Sequence, residues 1–328
     1  MTTMTHIPTG QTRDASVVTL GETMALFAPT DSGYLTQGAS CRLGLGGAES
    51  NVAITLSRLG TPSHWIGRLG TDSFGDVILG QLRAENVAVH AIRDSAPTGL
   101  MFKEWAPGGA LKVTYRRTSS AGSRLCPTDI APELVENASI LHLTGITPAL
   151  STTAAAAVDH AIAVAEAAQI TISVDLNYRR ALWEPAVARP ILTELLGRSS
   201  IAFAGADEAA LVLGVHQDTP VETLAKQLSR LGPSEVVIKR GPQGAMAYAH
   251  GAIHHIQPHP VHSIDPVGAG DAFVGGYLSE RTRDETTEQC LETAARVGAY
   301  ACTVRGDWEG AVHRRDLHLS PTADVVIR

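Results

Sequence analysis

Residues Asp265-Pro-Val-Gly-Ala-Gly-Asp-Ala-Phe273 form the most informative segment of this chain. They place Gly268 and Gly270 just ahead of Asp271, which opens a run with helical character. Glycine lets the backbone turn where a Cβ would clash, and the first amides of a helix have no internal partner and are free to bind an anion. A carboxylate beside such amides has an evident use, because it takes a proton from a hydroxyl while the amides hold a phosphate. The alternative interpretation of Asp271 is a first-turn charge that only caps the helix.

Composition is consistent with one large α/β domain, or with one domain that carries a small appendage. The chain has 328 residues, of which 44% are hydrophobic, and this is enough for a sizeable core. Its net charge is −7 and its lysines and arginines form no cluster, which disfavours nucleic acid as a partner. The cysteines form no CxxC pair, so free thiols in the cytoplasm are expected. Residues 1–15 are expected to be a disordered tail, and no run predicts a membrane span.

Short β-branched runs alternate with longer amphipathic runs along the chain. The predicted strands are Val17–Leu20, His64–Ile66, Ile140–Leu143, Ile170–Leu176, Ile201–Ala204 and Val236–Lys239. The predicted helices are Ala48–Leu59, Ser73–Asn86, Thr153–Ala168, Pro185–Gly197, Pro220–Leu231 and Asp271–Arg283. This alternation predicts an α/β fold in which helices cover both faces of a mostly parallel sheet. In such a sheet, ligands bind beyond the carboxyl ends of the strands.

Two segments, residues 30–45 and 97–118, break this rhythm and read as short strands around turns. Pro107-Gly108-Gly109 is a suitable hairpin connection within the second segment. We interpret the two segments as a small β-lid attached to the main sheet. Because a lid with open strand edges often pairs with another copy, a homodimer through the lid is expected.

Three motifs in order along the chain indicate a family. They are Gly46-Gly-Ala-Glu-Ser-Asn51, the glycine-rich run Gly67–Gly75, and the Asp265–Asp271 loop. Together they resemble the ribokinase (PfkB) family of sugar kinases, from about Val17 to about Asp316. The resemblance implies a three-layer αβα ribokinase-like core over residues 16–328, with ATP as phosphoryl donor and Mg²⁺ as its metal.

A narrower set of motifs resembles the 2-keto-3-deoxygluconate kinases. It includes Leu143-Thr-Gly-Ile-Thr-Pro-Ala-Leu150, Asp175-Leu-Asn-Tyr-Arg179 and Arg305-Gly-Asp-Trp-Glu-Gly310. Those enzymes phosphorylate the terminal hydroxyl of a six-carbon keto acid, so a sugar acid is the substrate that the resemblance implies. Met101 and Thr114 stand where such kinases often carry tyrosines, which leaves the sugar open.

The resemblance assigns the catalytic roles to the glycine-rich loop. It implies that Asp271 is the general base and must lie within hydrogen-bond reach of the attacking hydroxyl. The backbone amides of Gly268, Ala269 and Gly270 would stabilise the transferring phosphoryl group.

The expected substrate contacts lie near strand ends. Arg179 follows the strand Ile170–Leu176, so it should emerge at the carboxyl edge of the sheet, where a guanidinium suits a carboxylate. The resemblance adds Arg116 in the lid as a second contact to the acid, in preference to the neighbouring Arg117. The residues expected near the sugar hydroxyls are Gly46, Gly47, Asn51 and Glu22.

The nucleotide is expected to contact Lys239, Gly241 and Gly244, which follow the strand Val236–Lys239, together with Gly268 and Gly270. The resemblance places the position of Ala295 at the adenine, where an asparagine is the expected residue. It also implies that Glu208 organises Mg²⁺ through water. Gly205 replaces the asparagine of that Asn-x-x-Glu element, so metal positioning is looser or uses another group.

Two further interpretations stay open. Asp265 and Val267, with carbonyls of the Arg305–Gly310 turn, are candidates for a monovalent cation such as K⁺ by resemblance alone. The substrate is either a sugar acid or a neutral sugar such as fructose or ribose. A non-catalytic sugar sensor is the alternative outside enzymes; Asp271 argues against it and Gly205 mildly for it.

Overall fold

The computed structural model describes residues 14–31, 33–106 and 110–319. Most of the predicted tail, residues 1–13, and the predicted turn Pro107-Gly108-Gly109 fall outside these ranges. The strands are β1 (Val17–Leu20), β2 (Met24–Pro29), β3 (Cys41–Gly46), β4 (Ser63–Gly70), β5 (Ala88–Asp94), β6 (Leu100–Trp105), β7 (Leu111–Arg116), β8 (Ile140–Thr144), β9 (Thr171–Asp175), β10 (Ile201–Gly205), β11 (Glu235–Lys239), β12 (Ala245–Ala249) and β13 (Ala252–Ile256). The α-helices are α1 (Ala48–Arg58), α2 (Ser73–Ala84), α3 (Pro132–Glu136), α4 (Thr152–Ala167), α5 (Pro185–Gly197), α6 (Ala206–Leu213), α7 (Val221–Ser229), α8 (Ala269–Arg281) and α9 (Thr287–Ala301).

The large sheet has the strand order β13-β12-β11-β10-β9-β8-β1-β4-β5. From β11 to β5 every neighbouring pair is parallel, whereas β12 and β13 add an antiparallel hairpin at one edge. The mostly parallel sheet that the alternation predicts is therefore confirmed. Within the described ranges, no helix combines the length and the apolar character that crossing a bilayer requires.

Helices bury both faces of this sheet, because successive strand residues point to opposite sides. Val18 and Leu20 of β1 pack into the layer formed with α3–α7. Val17 packs into the opposite layer, with Val52 of α1 and Val274 of α8. The result is the predicted three-layer αβα core.

A second sheet of four strands has the order β3-β2-β6-β7. Strand β2 follows β1 after three residues, so this small sheet starts before the segment at residues 30–45 from which it was predicted. One of its faces carries the apolar cluster Met24, Leu26 and Met101, against which Val113 and Tyr115 pack. This face lies over the carboxyl ends of the large sheet's strands, because Met24, Met101 and Tyr115 line one cavity with residues that follow those strands.

Helix α8 packs unusually close to α1 and α9, and this packing positions the first turn of α8. A Cβ built on Gly275 would lie 2.7 Å from both the Cβ and the Cγ2 of Thr55 on α1. On the other side, a Cβ on Gly276 would lie 3.0 Å from the Cα of Ala294 on α9. Both positions need glycine, because the α8 backbone packs against the Thr55 side chain on one side and against the α9 backbone on the other. Asp271 lies one turn before Gly275 on the same helix, so this packing also sets its position.

We expect Gly275→Ala to lower the free energy of unfolding by about 1–3 kcal/mol, because the added methyl overlaps Thr55 and forces α8 away from α1. Gly80→Ala on α2 is the matched control, because a Cβ there meets nothing within 4 Å. That control should stabilise the protein by about 0.5–1 kcal/mol through helix propensity. Urea denaturation of the two variants measures both effects, and equal stability of the pair would contradict the packing argument.

Candidate active site

A cavity of about 940 Å³ lies between the carboxyl ends of the parallel strands and the small sheet. The large sheet contributes residues that follow its strands, including Glu22 after β1 and Asn177 after β9, and Lys239 at the end of β11. The small sheet contributes Met101 and Tyr115. This main cavity lies where the fold predicts a ligand.

Asp271 lies in the first turn of α8 and lines the main cavity. Its carboxylate accepts a hydrogen bond from Asn51 Nδ2 of α1, with 2.8 Å between Nδ2 and Oδ2. Gly268 at the N-cap has a φ of 80°, and a Cβ there would lie 1.7 Å from the Asp307 carbonyl oxygen. The loop before α8 therefore requires glycine for both conformation and space.

The amides of this loop differ in their partners. Ala269 N donates to the Pro266 carbonyl at 3.3 Å, so the structure pairs one of the three predicted phosphate-binding amides internally. The amides of Gly268 and Gly270 have no acceptor within the described residues, and both glycines line the main cavity. These two amides are the ones available to an anion at the positive end of the α8 dipole.

Burial raises the pKa of Asp271 to about 7, against the hydrogen bond from Asn51 and the positive charge of Arg179. A carboxylate with this pKa near neutral pH is suited to accept a proton, since general bases work best when their pKa lies near the working pH. The same group therefore has both the position and the basicity that proton transfer requires.

Asn51 has one unused hydrogen-bonding atom. Its Nδ2 binds Asp271, whereas its Oδ1 is buried without a partner in the described part of the chain. Gly46 and Gly47, which precede α1, also line the cavity, and a Cβ on Gly47 would lie 2.4 Å from the Glu22 carbonyl. The Asn51 oxygen is therefore positioned to accept a hydrogen bond from a bound hydroxyl.

Glu22 lines the cavity, and its carboxylate is already engaged by protein groups. Arg117 Nε donates to Glu22 Oε2 at 2.7 Å, and the Ser120 hydroxyl contacts Oε1. Arg117 lines the cavity, but Arg116 is exposed and donates to its neighbour's carbonyl oxygen at 3.3 Å. The structure thus brings Arg117, and not the predicted Arg116, to the site. Strand alternation explains this, because Val113, Tyr115 and Arg117 share one face.

Arg179 follows β9 and lines the cavity, as its position after a strand predicts. Its side chain is exposed to the cavity, and within the described ranges it forms no ion pair. It lies near enough to Asp271 to oppose the rise in the pKa of that carboxyl. Arg179 is therefore a cation beside the candidate base that forms no direct ion pair with any described residue.

A cluster of charged side chains lies below these groups at the ends of β9, β10 and β11. Lys239 Nζ is 2.6 Å from Asp175 Oδ2, and it would lie 3.7 Å from a Cβ on Gly270. Glu208 accepts hydrogen bonds from the amides of Gly205 and Tyr178, at 2.7 and 2.8 Å. Burial, followed by the charge of Asp175, raises the pKa of Glu208, while Lys239 opposes the rise.

Asp207 takes part of the space that the missing side chain at position 205 leaves. A Cβ built on Gly205 would lie 2.7 Å from Asp207 Oδ1, so the two cannot coexist in this arrangement. The Asp207 carboxylate lines the main cavity beside Glu208 and has no hydrogen-bond partner within the described ranges. The sequence had not singled out Asp207, although the departure at Gly205 was the signal that could have found it.

The remaining predicted site residues lie apart from the main cavity or at its margin. Gly241 and Gly244 flank a 3-10 turn after β11, and a Cβ on Gly244 would lie 2.1 Å from the Ile256 carbonyl. Ala295 is buried in α9 within the core. Val267 lines the cavity, whereas Asp265 is fully buried beneath it. Among the described residues, no group of three His, Cys, Asp or Glu side chains is arranged to hold a metal ion alone.

These features define a phosphotransferase site for a small hydroxylated molecule. The comparisons with known proteins agree. Residues 14–313 match the model of the pfkB family carbohydrate kinases. The chain is 34% identical to the 2-dehydro-3-deoxygalactonokinase of Haloferax volcanii, over 89% of this chain and 92% of that protein. It is also 34% identical to the 2-dehydro-3-deoxygluconokinase of Bacillus subtilis, over 92% and 93%.

Solved structures give the same result. The 2-dehydro-3-deoxygluconokinase of Thermotoga maritima is 26% identical, with a TM-score of 0.87 over 94% of this chain and 99% of that one. A putative ribokinase II of E. coli, solved with ATP and Mg²⁺, is 25% identical, with a TM-score of 0.84 over 92% and 97%. The chain belongs to the PfkB family of carbohydrate kinases and is a sugar kinase.

We predict that the Asp271 carboxyl titrates near pH 7 in the free protein, because burial disfavours its charged form. Carbon-13 NMR of protein labelled at aspartate carboxyls measures this directly, and Asp271→Asn identifies the signal by removing it. A signal that titrates at the ordinary aspartate value near 4 would contradict the burial argument.

Proposed function

We propose that the protein transfers the γ-phosphoryl group of ATP to the terminal hydroxyl of a 2-dehydro-3-deoxy sugar acid. The best candidate is 2-dehydro-3-deoxygluconate (2-keto-3-deoxygluconate), which would become its 6-phosphate. The observation that carries the proposal is one cavity holding Asp271, two loop amides without a partner among the described residues, and Arg179, which forms no direct ion pair there. The named kinases of the two relatives support the same substrate class.

In the proposed mechanism, each residue acts on a stated atom. Asp271 accepts the proton of the terminal hydroxyl as that oxygen attacks the γ-phosphorus, and Asn51 holds the carboxylate in place. The amides of Gly268 and Gly270 donate to the phosphoryl oxygens, where negative charge accumulates. Lys239 lies next to Gly270, with Asp175 as its ion-pair partner, and we assign it to the nucleotide side of the site. The small sheet over the cavity excludes water from the reacting groups.

Magnesium is the metal that the proposal requires, and the cavity fits it. Glu208 and the unpartnered Asp207 carboxylate present oxygen ligands, which Mg²⁺ prefers, and Mg²⁺ commonly keeps several waters. When bound, Mg²⁺ would offset the negative charge of the phosphate groups. We propose that Asp207 takes over the role of the side chain that Gly205 lacks.

The acidic substrate is favoured over a neutral one by the charges of the site. Arg117 lines the cavity, but Glu22 neutralises it at 2.6 Å. Arg179 has no such partner within the described ranges, so a substrate carboxylate would complete an ion pair there. A neutral sugar such as fructose or ribose would leave this guanidinium without a direct ion-pair partner.

We expect ADP release with 2-dehydro-3-deoxygluconate or its galacto epimer, and much less with fructose or ribose, in a coupled assay containing ATP and Mg²⁺. The two acids differ at one hydroxyl, so their ratio of kcat/KM identifies the preferred epimer. Greater turnover of a neutral sugar would overturn the acid proposal. No ADP with any compound would favour the non-catalytic sensor.

Arg179→Ala should raise KM for the acid about tenfold to 100-fold, because the substrate carboxylate loses a charged hydrogen-bond partner. The folding of the variant should be unchanged, since the guanidinium supports no other described group. Arg83→Ala, an exposed arginine on α2, is the control and should keep the wild-type KM. An unchanged KM for Arg179→Ala would remove the acid subsite.

Asp207→Asn should raise the Mg²⁺ concentration that gives half-maximal activity by about tenfold, because an amide oxygen is a weaker ligand than a carboxylate. Asp218→Asn, an exposed residue after α6, should not change it. The metal role of Asp207 would be rejected if both variants gave the same Mg²⁺ titration.

We propose, in addition, that two copies pair through their small sheets in the cytoplasm. Strands β3 and β7 are the edges of that sheet, and Leu43 of β3 is an exposed large apolar residue. Light scattering of wild type and Leu43→Lys compares the oligomeric states. A monomeric wild type would reject the pairing.

A further inference from the structure

A lysine of the small sheet is buried beside the loop that precedes α8. Lys103 of β6 is 0% exposed, and it pairs with two carboxylates that are also buried. Its Nζ lies 3.0 Å from Asp265 Oδ2, and it forms a second ion pair with Asp307. Lysine is rarely buried fully, and only when its charge is paired. The main-cavity mechanism makes no use of this cluster, which we call the Lys103 cluster (Lys103, Asp265 and Asp307).

The cluster joins three segments: strand β6, the loop before α8 and the turn at residues 305–310. Asp265 Oδ1 accepts a hydrogen bond from the Val267 amide, and Oδ2 accepts one from the Gly306 amide, both at 3.1 Å. The Asp307 carbonyl lies against Gly268, where it leaves no room for a Cβ. The Lys103 ammonium therefore holds the small sheet to the phosphate-binding loop and to the turn at residues 305–310.

The charges of the cluster depend on one another. Burial would lower the pKa of Lys103, but Asp307 and then Asp265 raise it above its ordinary value. Burial raises the pKa of Asp307 to about 6, and Lys103 opposes that rise. Removing the ammonium would leave two carboxylates in a buried place without a cation.

These residues do not fit the monovalent cation that the resemblance implied. That ion was expected on Asp265 and Val267, but both Asp265 oxygens already have donors and one donor is a cation. A second cation on the same carboxylate would be repelled by the ammonium at short range. The positive charge of this site is thus part of the protein.

We propose that Lys103 is a positioning residue that acts as a built-in cation in place of a bound K⁺ and ties the small sheet to the phosphate-binding loop. Because Lys103 does not line the main cavity, it acts through the Gly268–Gly270 segment. Turnover and folding of the wild-type protein are then independent of monovalent cations. The claim about turnover rests on the proposed kinase function, whereas the claim about folding does not.

The first test compares the wild-type protein in KCl and in tetramethylammonium chloride at equal ionic strength. We expect the same melting temperature and the same kcat in both salts, because no bound cation is needed. A clear rise of either quantity with K⁺ would overturn the proposal. The melting measurement contains no sugar, so its result stands even if no sugar is phosphorylated.

The second test uses Lys103→Met, which removes the charge and keeps most of the side-chain volume. We expect a melting temperature lower by roughly 5 °C or more and a kcat lower by about tenfold to 100-fold, since the loop loses its anchor. K⁺ or NH₄⁺, but not tetramethylammonium, should restore part of both losses. Lys112→Met, an exposed lysine on β7, should behave as wild type in every salt.

The positioning role would be rejected if Lys103→Met had the melting temperature and the kcat of the wild type in tetramethylammonium chloride. If Lys103→Met does not fold, Lys103→Arg replaces it, because arginine keeps the charge. That variant should fold and remain indifferent to K⁺. A K⁺ requirement in Lys103→Arg would contradict the proposal.

Discussion

A general base must be ionised to accept a proton, yet burial in a ligand cavity removes water and disfavours the ionised form of a carboxyl group. Asp271 lies under this constraint at the start of α8, where burial raises its pKa to about 7. The hydrogen bond from Asn51 and the charge of Arg179 limit the rise. Most features of the site serve this compromise. Glycines let helices approach, and unpartnered amides and cations lie within the same cavity.

The small sheet covers the cavity, and it also forms an ion pair with the loop that precedes α8. Its strand β6 carries Lys103, whose ion pairs reach the loop that ends at Asp271. In our proposal, closing the site and ordering the phosphate-binding loop are linked through one buried charge. A kinase benefits from such linkage, because water is excluded only when the groups that hold the phosphate are in place.

The fold was largely predictable because local sequence and tertiary packing agree. Strand Val17–Leu20 and helix Pro185–Gly197 have the bounds that the pattern predicts. The hairpin of β12 and β13 was missed because it is rich in alanine, which is depleted in strands. Strand β5 was missed because it is a partly buried edge strand with few β-branched residues. Helix α9 was missed although its buried residues Cys290, Leu291, Ala294 and Gly298 recur at helical spacing, because most residues of that stripe are small.

Site residues were predictable where a sequence motif determines the backbone conformation. They were not predictable where only the direction of a side chain determines whether it reaches the cavity. Asp271 and Asn51 were expected, and the fold brings them together across 220 residues. The choice between Arg116 and Arg117 depends on which face of β7 is covered, and the period of two in that strand would have indicated Arg117. The ion pairs of Lys103 were not predicted, because Lys103 lies in no recognisable motif and only the tertiary packing of β6 brings it to Asp265 and Asp307.

The most direct measurement of the central claim is kcat of Asp271→Asn on the preferred sugar acid, at saturating ATP and Mg²⁺. Asparagine keeps the shape of the side chain but cannot accept the hydroxyl proton. The account predicts a loss of at least about 100-fold, with a melting temperature no lower than that of wild type. Turnover within a few-fold of wild type would contradict the assignment of this carboxylate as the base.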